Sequence, residues 1–289
     1  METNKLSIGF IGAGTVGTAL AILLGGKGYN IVGASRRSAA GPNVHGTPVS
    51  NFRIFHSNQA VADAADFVFI TPPDDAIGHV AREVNWRAGQ SVVHCSGADS
   101  TAVLEPARQA GAFVGCFHPL QTFAGVRQAV ENLPGSTFAL EAEEPLLGRL
   151  KRLAEDAGGH WITLHAEDKP AYHAAAVLAS NYLVTLVKMA TDLWKTFDLP
   201  ADQAVTALMP LIRGTLHNIE TVGLPDCLTG PIARGDTGTL RKHLATLGEK
   251  SPSLLPAYRE MGLQTIPVSL AKGKITGDQA REMETVLKK

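Results

Sequence analysis

The chain has 289 residues, 45% of them hydrophobic and 18% charged, with a net charge of −1. That length has room for two domains, and without a basic block nothing points to nucleic acid or an anionic membrane surface as partner. Cys95, Cys116 and Cys227 are odd in number and lack CxxC spacing, so neither a disulfide framework nor a zinc site is indicated, and no metal is expected.

The opening residues run straight into an apolar stretch, Leu6 to Ile11, leaving no room for a signal peptide, so a cytoplasmic location is expected. The stretch has the length of a buried parallel strand. Gly12-x-Gly14-x-x-Gly17 follows at once, and then Val16, Leu20, Leu23 and Leu24 recur at helical spacing. A second apolar run, Ile31 to Ala34, closes a βαβ unit of about 30 residues. In such a unit the first glycine permits a tight turn, the second lets backbone approach a pyrophosphate, and the third lets helix and strand pack closely. The helix start offers free N–H groups and the positive end of its dipole. Gly12, Gly14, Thr15, Val16 and Gly17 are therefore expected to bind a dinucleotide.

The end of the second strand selects the cofactor. An NAD enzyme carries Asp or Glu about 20 residues past the glycines. Here the position falls in Ala34-Ser35-Arg36-Arg37-Ser38, and no acidic residue occurs between Glu2 and Asp63. Arg36 and Arg37, flanked by the Ser35 hydroxyl, suit a 2′-phosphate. NADP(H) is the expected cofactor.

A loop and a weak strand at Phe52 to Phe55 follow, and a short helix from Asn58 to Ala65. Asp66 to Thr71 is a buried strand stopped by Pro72-Pro73. Asp74 and Asp75 read as acids in a first helical turn, where the dipole favours them. Thr71, Pro72 and Pro73 lie where the nicotinamide half of a cofactor would pass. Ser91 to Gly97 is the next strand and its exit. A helix at Thr101 to Ala110 leads to a strand at Ala112 to Phe117, which exits into His118-Pro119-Leu120-Gln121-Thr122. Phe138 to Leu140 and Trp161 to Leu164 are the last strands, with a helix at Glu144 to Ala157 between them.

Beyond Ala166 only helices are expected: Asp168 to Phe197, Ala201 to Thr221, Thr239 to Leu247, Leu254 to Ala271 with a kink or break at Pro267, and Gly277 to Leu287. The apolar stretch Ala174 to Val187 is interrupted by Ser180 and Asn181 and reads as too short to span a bilayer. The expected architecture is an α/β Rossmann domain with a mostly parallel, doubly wound sheet (1–165), then an all-α domain for substrate and dimer contacts (166–289).

Several motifs together resemble one bacterial group. They are the glycine turn, His94-Cys95-Ser96-Gly97-Ala98, Gly115 to Phe123, Tyr172 to Ala176 with Ser180-Asn181-Tyr182, and Leu228 to Asp236. The group joins a Rossmann-like domain to a helical domain, DUF2520, within the 6-phosphogluconate-dehydrogenase-like superfamily. Some members act as alternative ketopantoate reductases. The resemblance implies NADPH-dependent reduction of a small carbonyl acid such as 2-dehydropantoate, and a homodimer paired through helical domains. In prephenate dehydrogenases, which the first half resembles, a Ser after one strand supports a catalytic His before Pro after the next; Ser96 and His118 match those positions. Related reductases place a Lys and an Asn one turn apart on the first helix of the second domain. This chain has Lys169 but His173 at the second position.

A keto-acid reductase needs a proton donor at the carbonyl and a clamp for the carboxylate. His118, with a pKa expected near 6.5, is the first candidate donor, oriented by Ser96; a rigid turn with its imidazole satisfied by backbone is the bland alternative. Lys169, His173 and Asn181 fall at steps of four and eight and can share one helical stripe. Asn181 and His173 are preferred as substrate contacts, against polar residues that merely line a domain interface. Ser96, Gly97, Gln121 and Thr122 complete the candidate substrate set. Arg234 could clamp a carboxylate or simply pair with Asp236. Imine reduction of the pyrroline-5-carboxylate type, prephenate-type oxidation and a non-catalytic NADP(H) sensor are the competing functions.

Overall fold

The computed structural model describes residues 6–35 and 52–289. In it the apolar runs become eight strands: β1 (Ser7–Ile11), β2 (Asn30–Ser35), β3 (Arg53–Phe55), β4 (Phe67–Ile70), β5 (Ser91–His94), β6 (Phe113–Leu120), β7 (Thr137–Ala142) and β8 (His160–Thr163). Between them lie α1 (Thr15–Gly26), α2 (Asn58–Ala64), α3 (Asp74–Glu83), α4 (Glu105–Gln109), α5 (Val126–Asn132) and α6 (Leu146–Asp156). The later helices are α7 (Lys169–Ala176), α8 (Tyr182–Trp194), α9 (Ala201–Thr221), α10 (Thr237–Lys250), α11 (Leu255–Ala271) and α12 (Gly277–Lys288).

The strands form one sheet in the order β3-β2-β1-β4-β5-β6-β7-β8, parallel throughout except for the β6–β7 pair. A parallel sheet needs helices on both faces, and the sequence supplies an apolar layer for each. On one face Phe10, Phe69, Phe117 and Phe138 pack in series, with ring centroids 5.2, 5.7 and 4.6 Å apart, against the apolar sides of α1 and α6. On the other, Val68, Ile70, Val92 and Val114 meet Val61 of α2, Ile77 and Val80 of α3, and Leu104. The C-terminal ends of β1, β4 and β5 consequently share one edge, where open parallel sheets bind ligands.

Two expectations about single residues change here. His118 and Pro119 lie inside β6 rather than after it, paired with Ala139 and Phe138 of β7. The strand runs on because antiparallel β7 extends the ladder beyond Cys116, where pairing with β5 stops. Pro119 therefore has no β5 partner and needs no N–H on that side. His118 is fixed by a ladder and is not a turn residue.

Contacts divide the chain into Met1–Ser180 and Asn181–Lys289 rather than at 165/166. The later division reflects α7, whose Lys169 is only 2% exposed and is held by groups just after β5 and on β6 and β7. The helix expected over 168–197 is present as α7, a π turn at Val177–Asn181, α8 and a 3₁₀ turn at Lys195–Phe197. The π turn interrupts the four-residue repeat between His173 and Asn181, so the stripe expected to hold both loses its basis. With no break at Ser180-Asn181, the run Ala166–Phe197 is long and apolar enough to cross a membrane by length and composition. Core helices of soluble proteins have the same length and composition.

Among the described residues no strand follows β8. In the second unit, Leu240, Ile266, Met283, Val286 and Leu287 form the core of α10, α11 and α12. Asp236 caps α10 by accepting from Thr239 N, and Thr276 with Gln279 closes a capping box on α12. Pro267 neither breaks nor ends α11. The Gly/Pro-rich loop before α10 is held by Lys272 Nζ, which donates to the Asp226 and Leu228 carbonyls at 2.6 and 2.7 Å.

Candidate active site

The three glycines divide their work as the motif requires. Gly12 has φ +100°, and a Cβ there would lie 2.9 Å from Pro72 N. At Gly17 a Cβ would strike Thr71 Oγ1 at 2.4 Å and the Gly12 carbonyl at 2.6 Å, so helix and strand touch only because it is absent. Gly14 is exposed, and a Cβ there would meet only the Thr71 carbonyl, 3.9 Å away. The approach to the start of α1 is thus open at the residue whose backbone should face a pyrophosphate. No side chain caps α1 and no acid occupies its first turn. These features fit the phosphates of a dinucleotide.

Neighbouring residues hold this turn in place. Gly12 N and Ala13 N donate to the Ser35 carbonyl at 3.2 and 3.1 Å, and Thr71 Oγ1 donates to the Gly12 carbonyl at 2.6 Å. Ser35 Oγ is committed to Asn58 Oδ1 at 2.6 Å, so its hydroxyl does not serve a 2′-phosphate. Arg36 and Arg37 lie outside the described residues.

Further along the same edge, His118, Gly97 and His173 converge. A Cβ on Gly97 would sit 2.8 Å from His118 Nε2 and 2.7 Å from His173 Cδ2, so the missing side chain lets both rings close on the backbone here. The rings stand nearly perpendicular, 6.3 Å apart. His118 Nδ1 is 2.8 Å from the Tyr172 hydroxyl.

Beneath them is a buried charged layer. Lys169 Nζ donates to Cys116 Sγ at 2.8 Å and to the Ser96 carbonyl at 3.2 Å, and lies 3.7 Å from Glu141 Oε2. Glu141 Oε1 accepts from Thr101 N and Oγ1 at 3.0 and 2.7 Å. Two of the ammonium's three protons are thus bonded to the sulfur and the carbonyl, while Glu141 Oε2 is an ion-pair neighbour beyond hydrogen-bond reach. Burial pushes the Cys116 thiol up to about 11, so it stays protonated and donates to the Ser96 carbonyl at 3.3 Å.

Burial and the Lys169 charge both act against an extra proton on the nearby histidines. His118 is pushed down to about 4 by burial first, then by Lys169 and His173. His94, fully buried, is pushed down to about 3 by burial and then by Lys169. His118 is therefore uncharged at neutral pH, which overturns the expected donor near 6.5. In the unfolded chain both imidazoles take up protons near 6.5. Their stabilising effect is complete above that value and is lost as pH falls toward 4, at about 1.4 kcal/mol per unit for each group. Urea unfolding at pH 7, 6 and 5 should show stability falling between the last two, and His94→Asn should flatten that slope. Equal stability at pH 6.5 and 4.5 would contradict the burial of neutral rings.

The chain's two halves match described domains. The Rossmann-like domain matches residues 1–119, and a domain of unknown function, DUF2520, matches residues 136–265. The chain thus carries a Rossmann-like domain match followed by a DUF2520 domain match. No curated protein matches it. A solved Bacteroides fragilis protein, named provisionally as an NADP oxidoreductase, is 24% identical with a TM-score of 0.75, over 92% of this chain and 100% of its own. The Plasmodium falciparum pyrroline carboxylate reductase with NADP bound is 14% identical with a TM-score of 0.59, over 98% and 99% of the two chains. The Aspergillus terreus reductive aminase, in complex with NADPH and ethyl levulinate, is 16% identical with a TM-score of 0.64, over 97% and 99%. At these identities the likeness is one of fold.

In this chain several residues singled out from sequence are used otherwise. Ser96 Oγ donates to Asp74 Oδ2 at 2.7 Å and accepts from Ala98 N and Asp99 N, so it does not orient His118. Gln121 gives its amide protons to the Asn132 carbonyl and Ser136 Oγ and accepts from Thr122 N; it ties the chain after β6 together. Thr71 and Pro72 back the glycine turn, and Pro73 is the N-cap position of α3. Asn181 and Arg234, both exposed, belong to the second unit. Asp236 directs its carboxylate to Thr239 N and Oγ1. Tyr172, Cys116 and Glu141 were not singled out for the site. Tyr172, three residues after Lys169 and next to His173, could have been found by helical spacing; Glu141 is contributed by an antiparallel neighbour that no local pattern links to Lys169.

Proposed function

We propose that the chain is an NADP(H)-dependent oxidoreductase that reduces a small carbonyl acid, with a 2-keto acid such as 2-dehydropantoate as the leading substrate. The observation that carries this reading is the convergence of His118 and His173 over Gly97, on the sheet edge that also carries the glycine turn. Gly12, Gly14, Thr15, Val16 and Gly17 would hold the pyrophosphate, and Arg36 and Arg37 the 2′-phosphate. NADP(H) bound there supplies the hydride. The chain's own task is then to orient the carbonyl and deliver a proton. His118 performs it as an uncharged imidazole: its N–H hydrogen-bonds the oxygen as charge develops there, and once that proton is handed over the ring takes one back from solvent. Lys169 is the weaker donor, because it is buried and two of its protons are bonded inside the fold. Arg234, as a clamp for the substrate's carboxylate, and Asn181 are the further proposed substrate contacts.

The solved pyrroline carboxylate reductase and reductive aminase favour a second reading, a cyclic imine as substrate. A protonated imine needs hydride alone, whereas a ketone also needs the proton that His118 can give. A protein that only senses NADP(H) has no use for two histidines converging on that edge. NADPH oxidation should be followed against a panel of 2-keto acids and cyclic imines. Turnover of a 2-keto acid supports the first reading, turnover only of imines the second, and tight NADPH binding with no turnover of either the sensor.

The active form is proposed to be a homodimer, located in the cytoplasm. Leu211 and Leu216 of α9 are 66% and 45% exposed in the single chain, as are Val184 (71%) and Tyr182 (54%) of α8. Apolar groups left in water on this scale mark an association surface. Sedimentation should give about twice the 30.5 kDa chain mass, and Leu211→Glu should shift it to the monomer. A fully active monomer at micromolar concentration would rule the dimer out.

A further inference from the structure

The bond between Tyr172 and His118 has a direction, and the direction decides what His118 offers to a ligand. A neutral imidazole has one N–H and one bare nitrogen. If Nδ1 carries the proton, Nε2 can only accept; if Nδ1 accepts, Nε2 carries the N–H. Tyr172 Oη lies 2.8 Å from Nδ1, with the rings edge to face and centroids 5.6 Å apart. Among the described residues Nδ1 is the partner found for that hydroxyl. A phenol is a stronger donor than a neutral imidazole N–H, and a bare imidazole nitrogen a stronger acceptor than a phenol oxygen, which favours the Tyr172 proton pointing at Nδ1. Burial raises the phenol's pKa, which keeps the proton in place. The Lys169 ammonium and the facing His173 ring oppose a second proton on His118.

The remaining nitrogen, Nε2, faces Gly97, where a Cβ would stand 2.8 Å away. Ser96 contributes nothing to the ring's orientation, since its hydroxyl is bonded to Asp74. We propose that Tyr172 is a positioning residue that holds His118 as the Nε2–H tautomer, with that N–H directed to the Gly97 side of the ring. The proposal rests on the reductase reading only for its kinetic consequence. A carbonyl oxygen placed there meets a donor, whereas the other tautomer would present it with a lone pair.

The decisive measurement needs no cofactor and no substrate. In ¹⁵N NMR of the intact protein at pH 7, the His118 ring should show a protonated Nε2 and a bare Nδ1. In Tyr172→Phe, which loses one oxygen and keeps the ring, the two tautomers should mix. With a substrate in hand, the same variant should lose about 10–100-fold in kcat, part of the 10²–10⁴-fold that acid–base catalysis provides, while NADPH affinity stays unchanged. A wild-type ring protonated on Nδ1, or a variant that keeps the pure Nε2–H tautomer, overturns the proposal. If Tyr172→Phe fails to fold, the wild-type spectrum still decides. If the wild type turns over neither keto acids nor imines, the reductase reading fails, while the spectrum answers the tautomer question separately.

Discussion

His118→Asn is expected to cut kcat for keto-acid reduction by about 10²–10⁴-fold, the usual contribution of a positioned acid or base. At about 1.36 kcal/mol per factor of ten, that is roughly 3–5 kcal/mol of transition-state stabilisation. NADPH affinity should hardly change, because the glycine turn is braced by Ser35 and Thr71 and not by His118. The pH profile gives a separate check. With His118 held down to about 4, wild-type kcat should show no limb near 6.5 and stay level from pH 8 down to 5.5. Lys169→Met is the informative contrast. It leaves Glu141 without its buried countercharge, a change that typically costs about 3–5 kcal/mol of stability, so its activity loss should come with a lower melting temperature. If Lys169→Met folds normally and abolishes turnover while His118→Asn costs only a few-fold, the proton comes from Lys169 and the assignment to His118 is wrong.

Local patterns carried most of the fold. The βαβ unit from Leu6 to Ala34 was legible because strand, glycine turn and helix are adjacent in sequence, and each glycine has a distinct steric reason. The ends of α9 and the start of α12 followed from apolar spacing and capping residues. What stayed hidden depends on pairing between distant segments. β6 runs to Leu120 because β7 meets it antiparallel, so His118 is a strand residue. Ser96 was drawn to Asp74, which local reading had placed simply as a first-turn acid of α3. The π turn at Val177–Asn181 has no simple composition signal, and it undoes a stripe built on a strict four-residue repeat. The downward shift of the His118 pKa is hidden for a similar reason: burial, its largest cause, is made by the fold, and the charge that adds to it lies 51 positions away, on Lys169.

Replacing Arg36 and Arg37 together by Ala should weaken NADPH binding by roughly 100-fold or more and leave NADH nearly unaffected. The two residues lie outside the described part of the structure, so the argument starts from what surrounds them. Ser35, the residue before Arg36, ends β2 with its carbonyl on the glycine turn, which brings the chain to the dinucleotide edge. Its hydroxyl is bonded to Asn58, so the two guanidiniums are left as the recognition groups. No carboxylate stands nearby in sequence to favour a free ribose 2′-hydroxyl or to repel a phosphate. A hydrogen bond to a charged group contributes about 1.5–3 kcal/mol, and two such contacts removed together exceed the 2.7 kcal/mol or so that a 100-fold change requires. NADH lacks the 2′-phosphate and therefore has nothing to lose. Titration of both cofactors into wild type and the double variant measures the difference directly. Raising salt from about 0.05 to 0.5 M should also weaken NADPH more than NADH in the wild type, and this difference should shrink in the variant, because exposed charge pairs are screened. Equal losses for the two cofactors, or no loss for NADPH, would place 2′-phosphate recognition elsewhere in the chain.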